Sequence, residues 1–326
     1  GFPDLYFFEP EILVRFAGNE IQIEAPDPEA VYAEITAQQV PAAQPARSYA
    51  FSPRIAREEY IDIINKLRKH ILRGDCYEIN FCQEFFAAQT WIDPLAVYNS
   101  LSEISPNPFS ALYRLDDKWL LCASPERFLR KTGDILLSQP IKGTSKRFAT
   151  DPGLDEQSRK TLQHSGKDRS ENVMVVDLVR NDLSKLCKEG TVQVDELYGI
   201  YSFPQVHQMI STISGRLKED ISFGDIIRAT FPMGSMTGAP KKRVLELIDR
   251  YERTARGIFS GAVGYISPDG DFDFNVVIRS IMYNAASGYT SFQVGSGITF
   301  YSDALQEWEE CLLKASAIKQ ALQLQS

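Results

Sequence analysis

Several chemistries are missing from this 326-residue chain before any motif is read. Its five cysteines, at positions 76, 82, 122, 187 and 311, form no CxxC pair, and an odd number without a secretory leader argues against a disulfide framework. They read as scattered thiols of a reducing, cytoplasmic compartment. The three histidines, His70, His164 and His207, lack the spacing of a zinc site. No run of 18 apolar residues is present to span a bilayer. Positive charge is also scarce: 35 Lys and Arg against 43 Asp and Glu leave a net charge of -8. That balance disfavours a nucleic-acid or anionic-membrane partner, although it leaves local anion capture open.

What is present belongs to an ordinary globular protein, with 44% hydrophobic and 24% charged residues, so a disordered tail or a collagen-like repeat is excluded. Gly1 in place of a starting methionine reads as a processed start. Residues 1-50 carry short apolar runs, YFF at 6-8, ILVRF at 12-16 and IQI at 21-23, ahead of the spacer QQVPAAQPARS. They predict an abbreviated, strand-rich N-terminal subregion. Residues 51-326 form the expected core. Tyr60, Ile64, Leu67 and Ile71 predict one helix face ending at Gly74, and further helices are expected over 156-185, 222-230, 240-251 and 303-322. Alternating segments at 77-87, 109-115, 119-123, 261-267, 271-284 and 291-300, joined by tight turns, predict antiparallel pairing and an α+β class.

Candidate chemistry gathers in four places. On the last helix, Glu307, Glu310 and Lys314 share a stripe, with Leu305, Trp308 and Leu312 opposite. Such a stripe ordinarily faces water. Set across a cleft from another acid, it supplies hard oxygen ligands for Mg²⁺, and Glu171, ahead of the apolar NVMVVDLV segment, is a candidate for that acid. SPERFL at 124-129 places Glu126 just after a strand: either a solvated turn residue or a desolvated general acid. QPIKGTSKR at 139-147 holds Lys142, ordinarily a surface charge but a nucleophile if desolvated. FPMGSMTGAPKKR at 231-243 lacks the GK[ST] of a P-loop. Like GSGI at 295-298, it offers either a tight turn or a backbone cradle for a carboxylate, and Arg279 offers a bidentate partner.

Taken in order, SPERF, PIKGTSKR, KDRSENVMVVDLVRNDLSK, FPMGSMTGAPK, GAVGY, VVIRS, GSGI and EWEECLLKA resemble the chorismate-utilising enzymes over roughly residues 50-322. The resemblance implies a large antiparallel β-sandwich with outer helices, and a cleft for chorismate and Mg²⁺. It places the metal-binding carboxylates at Glu171 and Glu310, with Glu307 nearby, and substrate-orienting groups at Thr237, Gly238, Arg279, Gly295 and Lys314. Lys142 in PIKGT is similar to the aminodeoxychorismate branch, where the anthranilate branch usually has alanine. That likeness implies attack by Lys142 at C2 of chorismate, protonation of the departing C4 hydroxyl by Glu126, and ammonia supplied by a separate glutamine amidotransferase subunit.

Three positions depart from the family pattern. Glu78 stands where related amination enzymes commonly have glutamine and water-using relatives have lysine. Gln208 occupies the place of a common histidine, with His207 displaced by one, and Phe259 replaces a frequent tyrosine. Anthranilate synthase and isochorismate synthase activities remain alternatives, as does a non-catalytic homologue retaining the fold.

Overall fold

The computed structural model describes residues 1–39 and 49–323. The chain divides into two compact units, Pro3–Pro45 and a large one formed by Ala46–Ser326 with Gly1–Phe2. In the small unit, β1 (Leu13–Ala17) and β2 (Glu20–Glu24) make an antiparallel hairpin, followed by helix α1 (Pro28–Ala37). The helix was not anticipated, and YFF at 6-8 is not a strand. Its signal lay in the pair Asp27–Pro28: the Asp27 carboxylate accepts from Ala30 N at 3.0 Å, and proline suits the first helical turn. Most of the expected 38-48 spacer lies outside the described residues.

The large unit runs β3 (Ser52–Pro53), α2 (Arg57–Leu72), β4 (Glu78–Ala87), α3 (Pro94–Ile104), β5 (Phe109–Leu115), β6 (Lys118–Ser124), β7 (Arg127–Thr132), β8 (Ile135–Gln139) and β9 (Ile141–Lys146). It continues with α4 (Pro152–His164), α5 (Gly166–Leu186), β10 (Gln193–Ser202), β11 (Val206–Arg216), α6 (Phe223–Thr230), β12 (Gly238–Ala239), α7 (Lys241–Tyr251), β13 (Gly264–Ile266), β14 (Phe272–Asn275), β15 (Ser280–Asn284), β16 (Tyr289–Ile298) and α8 (Ala304–Gln323). One sheet has the order β12-β4-β16-β15-β6-β5 with β3 added on β4; the other has β10-β11-β8-β7-β14-β13 with β9 added on β11. All the pairings are antiparallel, in accord with the α+β class read from the sequence.

Each sheet is covered by helices, because each buries one apolar face against them. Tyr60, Ile63, Ile64 and Leu67 of α2 and Val97 and Leu101 of α3 join Ile79, Phe81 and Phe85 of β4 and Phe292 of β16 in one core. Val175, Val176, Val179 and Leu183 of α5 pack with Phe128, Leu129, Leu136, Ile213 and Phe274 in a second. The two-residue period of β4 decides what lies on its other face. With Ile79 and Phe81 turned to the helices, Glu78, Asn80 and Cys82 point to the opposite side, and Cys82 belongs to the second core.

The chain passes between the sheets four times, from β6 to β7, β11 to β12, β12 to β13 and β14 to β15, and the first and last of these are short crossings. Ser124 ends β6 in the first sheet and Arg127 opens β7 in the second, so Pro125 and Glu126 form one crossing. Residues 276–279 form the other, from β14 to β15, which breaks the single strand expected over 271-284. Arg279 there has φ 53°, a left-handed conformation that interrupts strand pairing. The crossings bond to each other: Val276 N donates to Glu126 O at 3.0 Å, and Ala123 N to Arg279 O at 3.2 Å.

Helix α8 is rotated from its expected phase. Its inward stripe is Ala304, Trp308, Cys311, Ala315 and Ile318, and it takes Glu307 inside with it, whereas Leu305 and Leu313 are exposed. Small residues at 304, 311 and 315 explain the rotation, since they let the helix approach β16 and α2 closely.

Candidate active site

A cavity of about 650 Å³ opens beside these crossings, within the usual range for a small-molecule site. The sheets contribute Glu126, Lys142, Arg279 and Gly295, and the helices contribute Glu171, Glu310 and Lys314. Seven residues singled out from the sequence thus share one concavity. The local charge differs from that of the whole chain: five basic side chains (Lys142, Lys146, Lys167, Arg279, Lys314) meet four acidic ones (Glu126, Asp168, Glu171, Glu310). Lys167 and Asp168 were not anticipated. They precede Glu171 by four and three residues on α5, so helical spacing alone places them on its face.

Glu126 is buried at the first crossing, and burial pushes its carboxyl up to about 7, against the pull of a Ser235 hydrogen bond and the Lys142 charge. A group titrating there is about half protonated at neutral pH, so a proton is available for it to donate. Arg279 at the second short crossing lines the cavity, and among the described residues its guanidinium has no hydrogen bond or ion pair of its own. Burial lowers its pKa, and the nearby Glu310 charge opposes that shift. A guanidinium partly withdrawn from water into the cavity wall, with no partner, is costly and calls for an anionic ligand.

Lys142 lies on β9 where the pairing with β11 shifts register, between Gln208 and Ile210. Gly143 takes φ 95° there, and a side chain at that position would run into Asp168. The Lys142 Nζ donates to Glu78 Oε1 at 2.6 Å, with Glu78 almost wholly buried. Burial lowers the lysine pKa, but the Glu78 and Glu171 charges, the Glu78 hydrogen bond and Glu126 more than offset it, and the net shift is upward. The expectation of a lysine made neutral by desolvation is therefore corrected: this lysine is held as an ammonium. Glu78, read from the sequence only as a departure, is its partner.

Glu171 and Glu310 reach the cavity from α5 and α8. Burial, followed by interactions that include repulsion from Glu78, raises Glu171 to about 7, and its Oε1 is buried without a hydrogen-bond partner. Glu310 pairs with Lys314 at 2.7 Å, and Lys314 also donates to Gly295 O at 2.9 Å. No group of three or more Asp, Glu, His or Cys side chains among the described residues is arranged to hold a metal. Two carboxylates do suit Mg²⁺, which keeps several waters and accepts one or two protein carboxylates together with substrate oxygens. The observation that fits it is the Glu171 Oε1, buried without a hydrogen-bond partner among the described residues and with only the Lys167 ammonium, at 3.8 Å, beside it. Glu307 stands apart, buried near Tyr60 and Cys311 and outside the cavity lining.

Thr237 and Gly238 do not line the cavity either. The Thr237 hydroxyl donates to Met233 O at 3.0 Å, and Gly238 pairs with Ile79; Ser235 and Met236 present that segment to the cavity instead. Adjacent strand residues face opposite ways, so Gln208 lines the cavity while His207 turns to Asp155, at 3.1 Å, and Ser202, at 2.8 Å; Phe259 reaches the lining from the turn before β13.

Comparison with known proteins agrees with this architecture. The family described as chorismate binding enzyme matches residues 1–320. The chain therefore belongs to the chorismate-binding enzyme family. Aminodeoxychorismate synthase component 1 of Klebsiella aerogenes is 38% identical over 299 residues, covering 91% of this chain and 65% of that protein. The same component from Escherichia coli K12 is 37% identical over 269 residues, covering 82% and 58%. The chain thus spans about two thirds or less of the length of these curated relatives. Among solved structures, anthranilate synthase component I from Streptococcus pneumoniae TIGR4 superposes with a TM-score of 0.79 at 28% identity, covering 89% of this chain and 64% of that one. The menaquinone-specific isochorismate synthase of Escherichia coli, at 19% identity and a TM-score of 0.82, covers 96% and 75% and shares the fold. No helix among the described residues is long and apolar enough to cross a membrane.

Proposed function

We propose that this chain aminates chorismate at C4 to give 4-amino-4-deoxychorismate, with ammonia delivered by a separate glutamine amidotransferase subunit. The observation that carries this reading is the presence of Lys142 and a proton-bearing Glu126 on one cavity wall region. Lys142 attacks C2, both ring double bonds shift toward C4, and the C4 hydroxyl departs as water with the Glu126 proton. Ammonia then adds at C4, the C2–N bond breaks, and the proton lost by the new amine returns to Glu126. The substitution is thereby divided into two displacements, water leaving in the first and the lysine amine in the second.

Arg279 and Lys314 supply the charge that holds the substrate carboxylates, and Gly295 lets the ring approach the backbone of β16. Thr237 and Gly238 are assigned a supporting role through the β12 backbone beside β4. Glu171 and Glu310 would hold Mg²⁺, which supplies charge neutralisation to a bound carboxylate. Glu307, placed away from the cavity, supports α8 and is not included among the ligands.

Product identification by mass spectrometry, with chorismate, Mg²⁺ and ammonium salts, tests the reading. 4-Amino-4-deoxychorismate supports it. Pyruvate with an aromatic ortho-amine would establish anthranilate synthesis instead, incorporation of labelled water without ammonia would establish isochorismate formation, and no turnover even with a purified amidotransferase would favour a non-catalytic homologue.

A further inference from the structure

The strongest unabsorbed feature of the site is the carboxylate that grips its nucleophile. Glu78 sits on β4, on the face opposite the helix-packed Ile79 and Phe81, and is 2% exposed. Its Oε1 accepts from Lys142 at 2.6 Å, whereas its Oε2 is buried with no hydrogen-bond partner. An ion pair serving only to fix a side chain would ordinarily satisfy both oxygens, because each unpaired buried oxygen costs free energy. Space for the pair comes from Gly297 on the neighbouring strand β16: a Cβ there would lie 2.7 Å from Glu78 Oε1 and 2.8 Å from Lys142 Nζ. Three strands, β4, β9 and β16, are thus shaped around one N–H···O contact.

The nucleophile has a difficulty that this contact resolves. An ammonium has no lone pair, and Lys142 is held in that form chiefly by Glu78 and then by Glu171, with Glu310 also within its field. Among these acids, Glu78 alone is hydrogen-bonded to Nζ. Glu126 is required in its protonated form as the donor, and Glu171 faces both Lys167 and Lys142 across a greater distance.

We propose that Glu78 is the proton acceptor of Lys142, taking the Nζ proton as substrate enters and returning it when the lysine leaves. The proposal rests on the covalent reading above. The protons and charges close over one cycle. The Lys142 ammonium gives its proton to the Glu78 carboxylate, and the free amine forms the N–C2 bond while the C4–O bond breaks and Glu126 protonates the leaving oxygen to water. The adduct nitrogen is then positive and Glu126 negative. Addition of ammonia at C4 expels Lys142 as a neutral amine. The new C4 ammonium protonates Glu126, and Glu78 returns its proton to Lys142.

A consequence follows for pH. The reactive pair, neutral amine with neutral acid, holds the same number of protons as the resting ion pair, so its population does not change with pH across neutrality. Without Glu78 the lysine proton must go to solvent, and the reactive fraction rises about tenfold per pH unit below the lysine pKa.

The test compares wild type, Glu78→Gln, Glu78→Asp and Lys142→Ala in two measurements: turnover with ammonium salts from pH 6.5 to 9.5, and intact-protein mass spectrometry for the lysine adduct with chorismate alone. Glu78→Gln is expected to lower kcat about 10²-fold at pH 7 with little change in KM, and its rate is expected to climb with pH relative to wild type. Glu78→Asp should recover part of the rate and the wild-type profile. Adduct should form in wild type, slowly in Glu78→Gln, and not in Lys142→Ala. Wild-type turnover by Lys142→Ala overturns the covalent reading itself. An inactive Lys142→Ala beside a Glu78→Gln variant with wild-type rate and profile overturns the role of Glu78 alone. Loss of rate in Glu78→Gln with an unchanged profile and no rescue by Glu78→Asp also overturns it, assigning Glu78 a structural part.

Discussion

Gly297→Ala is the sharpest probe of how tightly the site is built. The position is the penultimate residue of β16, outside the left-handed region, so alanine brings no backbone strain. The new methyl lies 2.7 Å from Glu78 Oε1 and 2.8 Å from Lys142 Nζ, well inside van der Waals contact. Both atoms are side-chain tips and are able to retreat, but retreat separates them. Drawing the charges from 2.6 Å to about 4 Å at an effective dielectric of about 20 weakens their attraction by about 2 kcal/mol. With about 1–3 kcal/mol more for the crowding itself, the loss of stability corresponds to several degrees in Tm, and the variant is expected to stay folded. Turnover is expected to fall at least tenfold, because Lys142 loses both its aim and its partner. Thermal melting and steady-state kinetics on the same preparation check this. Wild-type kcat in Gly297→Ala would refute the claim that the strand is carved to the dimensions of the pair.

Glu126→Gln should lower kcat by roughly 10²-fold or more, by removing the proton donor. Because the Glu126 carboxyl titrates near 7 when folded and near 4.5 when unfolded, the wild type loses stability as pH rises through that interval. The variant should therefore melt with the wild type near pH 4 and above it at pH 8, with a gain of up to about 3 kcal/mol; equal melting at pH 8 would refute the assignment. Arg279→Ala should raise KM for the substrate about 10²-fold while raising Tm, since it removes a partly desolvated guanidinium that has no partner in the free protein; unchanged KM would remove Arg279 from the site. Mg²⁺ should raise Tm at pH 8 in the wild type but not in Glu171→Gln, as read by calorimetry, because the metal relieves a carboxylate that burial disfavours. An equal shift in both would place the metal elsewhere.

Local periodicity carried far in this chain. The spacing of Tyr60, Ile64 and Leu67 marked α2, and the alternating segments with tight turns marked antiparallel sheets. Single motifs also carried Glu126, Lys142 and Arg279 to one cavity. The misses share a cause. Glu78 and Lys142 are 64 residues apart and meet only because strands of different sheets face each other, which no period along the chain records. A signal was nonetheless present: a carboxylate alternating with Ile79 and Phe81 on a strand faces inward and must find a cation. Glu307 was misplaced because charge was taken to set the phase of α8, whereas close approach by Ala304, Cys311 and Ala315 set it. Arg279 interrupts a segment that looks continuous, since a change of sheet leaves no mark on hydrophobic alternation.

The laced crossings at 125–126 and 276–279 bear on how the chain acquires activity at all. Each crossing belongs to both sheets, and each holds the other through main-chain bonds. A folding intermediate with one sheet formed would have neither the acid nor the guanidinium in register, and so would offer an anionic metabolite nothing to bind. Ligand affinity is thereby reserved for the finished fold.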